Sequence, residues 1–190
     1  MTNNQDIERA LKQAVRKMLD DIRVSIGSEF DRNFERQAFF TEAWQRRRSP
    51  SKGNHILVQT GELRRSITSR IDGDSVIFES TLPYAAIHNE GGSIRVTAKM
   101  KRYFWARYYE TRGSFKRLKS GNLSKSRQQQ RLNTEADFWQ AMALMKVGSE
   151  IRIPRRRFLG ASPEVETKAR EICERHLTEY FNQFIKNIKQ

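Results

Sequence analysis

Ile7, Leu11, Ala14, Val15, Met18, Ile22 and Ile26 recur at three- and four-residue steps near the start of the chain. That spacing predicts an amphipathic helix of about five turns, ended near Gly27, with one apolar stripe that must find a partner surface. The end of the chain repeats the demand. Ser162 is placed to cap a helix, Pro163 to occupy its first position, and Glu164 and Glu166 to face its positive end. Val165, Ala169, Ile172, Leu177, Tyr180 or Phe181, Phe184 and Ile188 supply its stripe. Two helices that each need a partner, with strand signals between them, point to an α+β protein: an antiparallel β-sheet packed by N- and C-terminal helices.

The strand signals begin after a weaker helical pattern through Phe30, Phe34, Ala38 and Phe39 to Trp44, and after a basic linker at 46–53 that holds Ser49, Pro50 and Ser51. Segments 67–71 and 76–80 flank Asp72-Gly73-Asp74, whose Asp-Gly pair provides the positive φ of a tight β-hairpin. Pro83 to Ala86 reads as a turn or short helix, Gly91-Gly92 as a forced bend, and Ile94 and Val96 as the inward face of another strand. Thr97 is placed to cap an aromatic helix carrying Met100, Tyr103, Phe104, Arg107 and Tyr108. Residues 112–133 offer little to bury and read as exposed and mobile. A helix over 134–145 follows, with Glu135 and Asp137 at its positive end and Phe138, Met142 and Met145 on one face. Ile151 and Ile153 then alternate with Arg152 in a short strand halted by Pro154. Strands at 93–97 and 150–154 are expected to pair, which leaves 99–146 as a basic helical insertion in a single domain spanning 1–190.

Composition limits what such a chain can be. At 190 residues it is large enough to bury roughly two thirds of its unfolded surface. No secretory signal or membrane-length apolar run occurs, so the cytosol is the expected site of synthesis. The lone Cys173 can form no internal disulfide. The formal charge of +14 is concentrated: residues 95–157 carry 17 basic and 4 acidic side chains, while 1–94 carry 14 and 13.

No arrangement suited to catalysis emerges. His55 has no carboxylate nearby in sequence, and His176 falls inside the last helix. His88-Asn89-Glu90 lacks both a second histidine and a serine or cysteine nucleophile. Three dispersed histidines and one cysteine make a closed zinc site implausible, and Asp72-Gly73-Asp74 is far short of a calcium loop. No metal and no cofactor are expected, and the chain does not read as an enzyme.

The basic segment is different. Lys99, Lys101, Arg102, Arg107, Arg112, Lys116, Arg117, Lys119, Lys125, Arg127 and Arg131 could neutralise phosphates, or meet an acidic protein partner. Tyr103, Trp105, Tyr108 and Tyr109 could stack on bases, although aromatics at helical spacing more often form core or interface. A basic nucleic-acid-binding accessory protein is therefore an alternative reading.

Three segments carry a resemblance when taken in order. They are Gln59-Thr60-Gly61-Glu62-Leu63-Arg64-Arg65-Ser66-Ile67, then Leu82-Pro83-Tyr84-Ala85-Ala86-Ile87-His88-Asn89-Glu90-Gly91-Gly92, then Ile153-Pro154-Arg155-Arg156-Arg157-Phe158-Leu159-Gly160-Ala161-Ser162. Their order resembles the phage virion morphogenesis family, with its tail-completion proteins of contractile-tailed and Mu-like phages, and is more distantly similar to siphophage neck proteins. The resemblance implies a non-catalytic protein of tail completion or head–tail joining, binding neck or tail structural proteins. It also implies a homo-oligomeric ring, for which sixfold symmetry would suit a tail, and a place at the head–tail junction or tail end of the virion. On it, Gly61, Leu63, Ser66, Ile67, Tyr84, His88, Gly91, Gly92, Pro154, Arg157, Phe158, Leu159 and Gly160 are fold or interface positions. The chain departs from the family pattern at Arg157, where many members have proline.

Overall fold

The computed structural model describes residues 4–47, 55–116, 120 and 123–188. Most of the expected linker at 46–53, together with Arg117 and Lys119, lies outside them. In chain order the elements are α1 (Asn4–Arg36), β1 (Ala38–Phe39), β2 (Glu42–Ala43), α2 (Glu62–Arg65), β3 (Ile67–Asp72), β4 (Ser75–Ser80), α3 (Ala85–Glu90), β5 (Gly92–Arg95), α4 (Ala98–Gly113), α5 (Arg127–Leu144), β6 (Glu150–Ile153) and α6 (Pro163–Ile188). The class is α+β, with strands flanked by long terminal helices. The strands form three separate antiparallel pairs among the described residues, β1–β2, β3–β4 and β5–β6, where the pattern predicts one sheet. The chain divides into two compact units. Unit 1 comprises 1–44, 57–85 and 156–190, and unit 2 comprises 45–56 and 86–155.

Unit 1 is built on α1 and α6. Lys168 lies against Glu29, and Arg175 and His176 against Asp21, so the two helices run antiparallel. Ile26, Phe30 and Phe39 form a buried cluster, surrounded by Ile22, Phe40, Phe78, Leu159, Val165 and Ala169. The expected break at Gly27 does not occur, and α1 continues to Arg36. A glycine inside a helix costs about 1 kcal/mol. Burying Phe30 alone, worth about 2 kcal/mol, offsets that. A Cβ at Gly27 would lie 3.5 Å from the Phe78 ring, so β4 packs closely where a side chain is missing. The second expected helix ends early for a related reason. Gln37 and Phe40 take left-handed φ values of 56° and 51°, and the chain folds into β1–β2, bringing Phe39 and Trp44 back onto α1.

The hairpin β3–β4 has the register its Asp-Gly pair demands. Asp72 faces Ser75 across Gly73 and Asp74, with Gly73 at φ 58°. Phe78 of this hairpin meets Phe30 edge-on at 5.1 Å. At α6, Ser162 Oγ accepts from the Val165 amide at 3.3 Å, completing the expected cap.

Unit 2 contains α4 and α5, packed together, and the pair β5–β6. The pairing runs Gly92↔Ile153, Ser93↔Arg152, Ile94↔Ile151 and Arg95↔Glu150. Thr97 caps α4 through a bond from the Met100 amide at 3.2 Å. Phe104 and Tyr103 of α4 both meet Trp139 of α5, at 6.1 and 6.0 Å. Helix α5 starts at Arg127, seven residues before its expected start, with Ser126 as its cap. The cause is Gln129, a polar residue that is nonetheless buried: its side chain accepts from the Lys116 amide and donates to Asn133. Glu135 and Asp137 therefore lie mid-helix, not at its positive end. One further correction concerns Ile94. Every residue of β5 is exposed, and only Val96 beyond it is buried.

Candidate assembly surface

The first motif makes the corner between α1 and the hairpin in unit 1. Gly61 adopts φ 71° ahead of α2, where the path of the chain requires a left-handed residue. Leu63 is buried. The Ser66 hydroxyl donates to the Leu63 carbonyl at 2.8 Å and meets the Ser80 hydroxyl at 2.6 Å, so the corner is tied to both edges of the hairpin that Ile67 opens. Between the motif's apolar residues stands Arg64. Its guanidinium grips both Asp31 carboxylate oxygens at 2.5 Å and Glu35 at 2.7 Å. Hydrogen bonds from Arg64 hold the Asp31 carboxyl below its ordinary value, against a smaller opposing effect of burial.

The second motif is divided between the units. In unit 1, the exposed Tyr84 hydroxyl donates to Glu62 at 3.3 Å, joining the start of this motif to the first. In unit 2, His88 is half-buried on α3. Gly91 has φ 77°, and a Cβ there would stand 2.9 Å from the Arg155 backbone nitrogen, so only glycine fits that approach. Gly92 then pairs with Ile153, which places the second motif beside the third and leads directly to Pro154.

The rest of the third motif is the best-buried loop of unit 1. Phe158 has 0% exposure and lies 5.4 Å from Phe34. The Trp44 indole donates to the Arg157 carbonyl at 2.6 Å, and Asn33, itself fully buried, donates to the Phe158 carbonyl at 3.5 Å. Arg157 restrains the loop through its side chain. Its guanidinium donates to the carbonyls of Leu159 and Ala161 and lies 4.5 Å from the Phe39 ring centroid. Gly160, at φ 127°, leaves room for that guanidinium, since a Cβ would lie 2.8 Å from its Nη2. The motif residues in unit 1 thus lock loops onto α1, and Tyr84 is the large apolar one among them that stays exposed.

The exposed apolar surface of unit 1 lies elsewhere, where motif reasoning gave no warning. Leu177, Phe181 and Ile185 follow at four-residue steps along α6, all exposed, with Phe181 at 56%. Sequence periodicity places Leu177, and Phe181 as an alternative to Tyr180, in the apolar stripe of this helix, and leaves Ile185 out of it. In the structure Ile172 is buried, while Leu177, Phe181 and Ile185 lie on a different side of the helix and are open.

A comparison with family models decides what these loops belong to. The model of the phage virion morphogenesis family matches residues 2–178. The chain belongs to the phage virion morphogenesis family. Membership makes it a structural or assembly protein of a tailed phage or prophage, and the match spans all three motifs and the first 16 residues of α6, ending before Phe181 and Ile185. No curated protein and no solved structure gives a match. Among the described residues, no group of three or more His, Cys, Asp and Glu is placed to hold a metal ion. No helix among them is long and apolar enough to cross a membrane.

Proposed function

We propose that the chain acts in tail completion or head–tail joining through protein–protein contacts, without catalysis, as one domain spanning 1–190 with 99–146 as its basic helical insertion. Its partners are copies of itself and structural proteins of the neck or tail. It is made in the host cytoplasm and enters the virion at the head–tail junction or tail end. The observation that carries this reading, beside family membership, is the open stripe of Leu177, Phe181 and Ile185 on α6. Burying such side chains is worth about 1.5–3 kcal/mol each. Three of them aligned on one rigid helix form a ready anchor for a neighbouring subunit. Closed rotational symmetry lets a heterologous contact of this kind end in a ring, and sixfold symmetry would match a tail.

Light scattering coupled to size exclusion tests the ring. The wild-type protein should give a multiple of its 22.4 kDa mass, sixfold for a hexamer. Phe181→Glu should return the monomer mass with an unchanged circular dichroism spectrum. A wild-type chain that stays monomeric at every concentration, alone and with neck or tail-tube proteins, would overturn the reading.

A second reading concerns unit 2 alone, and charge favours it. Unit 2 carries 19 basic and 5 acidic side chains, which leaves unit 1 with 17 of each. The whole formal charge of +14 therefore belongs to unit 2, and a nucleic acid is a partner that such a surface suits.

A further inference from the structure

We propose that the solvent face of α4 is a nucleic-acid-binding surface, with cations on the phosphate backbone and an exposed tyrosine for base stacking; this deepens the second reading above. Lys99, Arg102, Ala106, Tyr109 and Gly113 are all exposed and succeed one another at steps of three, four, three and four residues. They consequently share one side of the helix. The opposite side carries the buried Phe104, Tyr108 and Thr111.

Three observations separate this face from an ordinary solvated surface. The first is pairing. Among the described residues, every ion pair in unit 2 involves Arg107, which meets Glu110 at 2.5 Å and Glu135 at 3.7 Å. Lys99, Lys101, Arg102, Arg112, Arg127 and Arg131 have no carboxylate partner there. Unit 1, by contrast, pairs eight of its described Lys and Arg side chains with carboxylates, as at Glu29, Asp31 and Asp21. A surface kept charged only for solubility gains nothing from leaving its cations on one unit.

The second is the aromatic component. Tyr109 is 64% exposed, and its ring stacks at 5.8 Å on Trp105, which holds it in place. An exposed tyrosine on the same side as cations without carboxylate partners offers a face to a base as well as charge to a phosphate, and an acidic protein surface would need only the second. The third is shape. Ala106 stands between Arg102 and Tyr109 on this side, so a strand can approach the helix closely there.

Contacts of this kind are independent of sequence and release counterions, so binding must weaken steeply with salt. The test is fluorescence anisotropy of the full chain with labelled single-stranded and duplex DNA oligonucleotides of mixed sequence, across about 50–200 mM salt. Binding at low salt with a steep salt slope is expected. Lys99→Gln combined with Arg102→Gln should weaken it about tenfold and reduce the slope by about two. Tyr109→Ala should weaken single-strand binding at least about fivefold while leaving the slope nearly unchanged. Arg70→Gln, on the exposed hairpin of unit 1, should change neither quantity, which separates a specific face from general charge. Single-strand preference would identify stacking as a working part of the site; equal or preferred duplex binding would support the backbone contacts and overturn the role of Tyr109. The proposal fails if neither oligonucleotide binds at low salt, if the double variant binds as the wild type does, or if polyglutamate of equal charge competes as well as DNA. Loss of DNA binding with the oligomeric mass intact would leave the assembly reading standing, so the two fail separately.

Discussion

Phe158→Ala should destabilise the protein by about 3–5 kcal/mol, the range for truncating a fully buried phenylalanine. Phe158 lies on a loop, where large side chains usually have room to adjust, but this loop has little freedom. Its carbonyl and that of Arg157 are held by Asn33 and Trp44, and the Arg157 guanidinium closes the turn beneath Phe39. Surroundings restrained in this way cannot collapse into the space left by the ring, so the cavity term adds to the lost burial. A drop of about 10 °C in the thermal midpoint is expected for a chain of this length. Urea unfolding followed by far-UV circular dichroism measures the change directly. Phe181→Ala is the control: its ring is already open to water, so the isolated subunit should change by under about 0.5 kcal/mol. A Phe158→Ala variant with a wild-type midpoint would show that the loop does not anchor the fold.

The second large effect concerns pH. Glu29 is buried on α1, and three cations surround its carboxylate: Arg36 at 2.6 Å, Arg32 at 3.0 Å and Lys168 of α6 at 3.0 Å. Burial by itself would push the carboxyl up. Hydrogen bonds from Arg36 and Lys168, together with their charges, outweigh burial and bring it down to about 2. A carboxyl depressed in the folded state stabilises it fully above its unfolded value near 4.5, and that stability is lost as pH falls toward 2. The amount at neutral pH is about 3 kcal/mol. Glu29→Gln should therefore be about 3 kcal/mol less stable than wild type at pH 7. The gap should shrink to less than half by about pH 3 and nearly vanish by about pH 2. Asp31 is depressed as well, but it is present in both proteins and cancels from the difference. Urea midpoints at several pH values decide the matter, and a gap that stays constant from neutral to acid pH would remove the carboxylate from the account.

Elements governed by local rules were readable from the chain. The Asp72-Gly73 hairpin and the Thr97 and Ser162 caps each depend on a few adjacent residues. Local rules failed where distant packing outweighed propensity. Gly27 should end a helix, yet Phe30 and Phe34 beyond it are both buried, and the helix continues. Gln129 looks like part of a polar, mobile run, but its amide completes the hydrogen bonding of the Lys116 backbone and draws α5 forward by two turns.

The candidate surface divides along the same line. Family motifs pointed to Gly61, Gly91, Phe158 and Gly160, whose backbone angles and burial explain their residue types. They did not point to Leu177, Phe181 and Ile185, because periodicity shows that a stripe exists and not whether a partner covers it. Chain order did show the excess charge concentrated in 95–157, and the division into units assigns it to unit 2.

The most direct test of an assembly role is electron microscopy of lysates from a phage or prophage lacking this gene, with particles scored as joined virions, free heads or free tails. The account predicts filled or empty heads and tails that do not join, or tails of abnormal end structure, with infectivity restored by the wild-type chain supplied in trans. Joined particles at wild-type number and titre would contradict it.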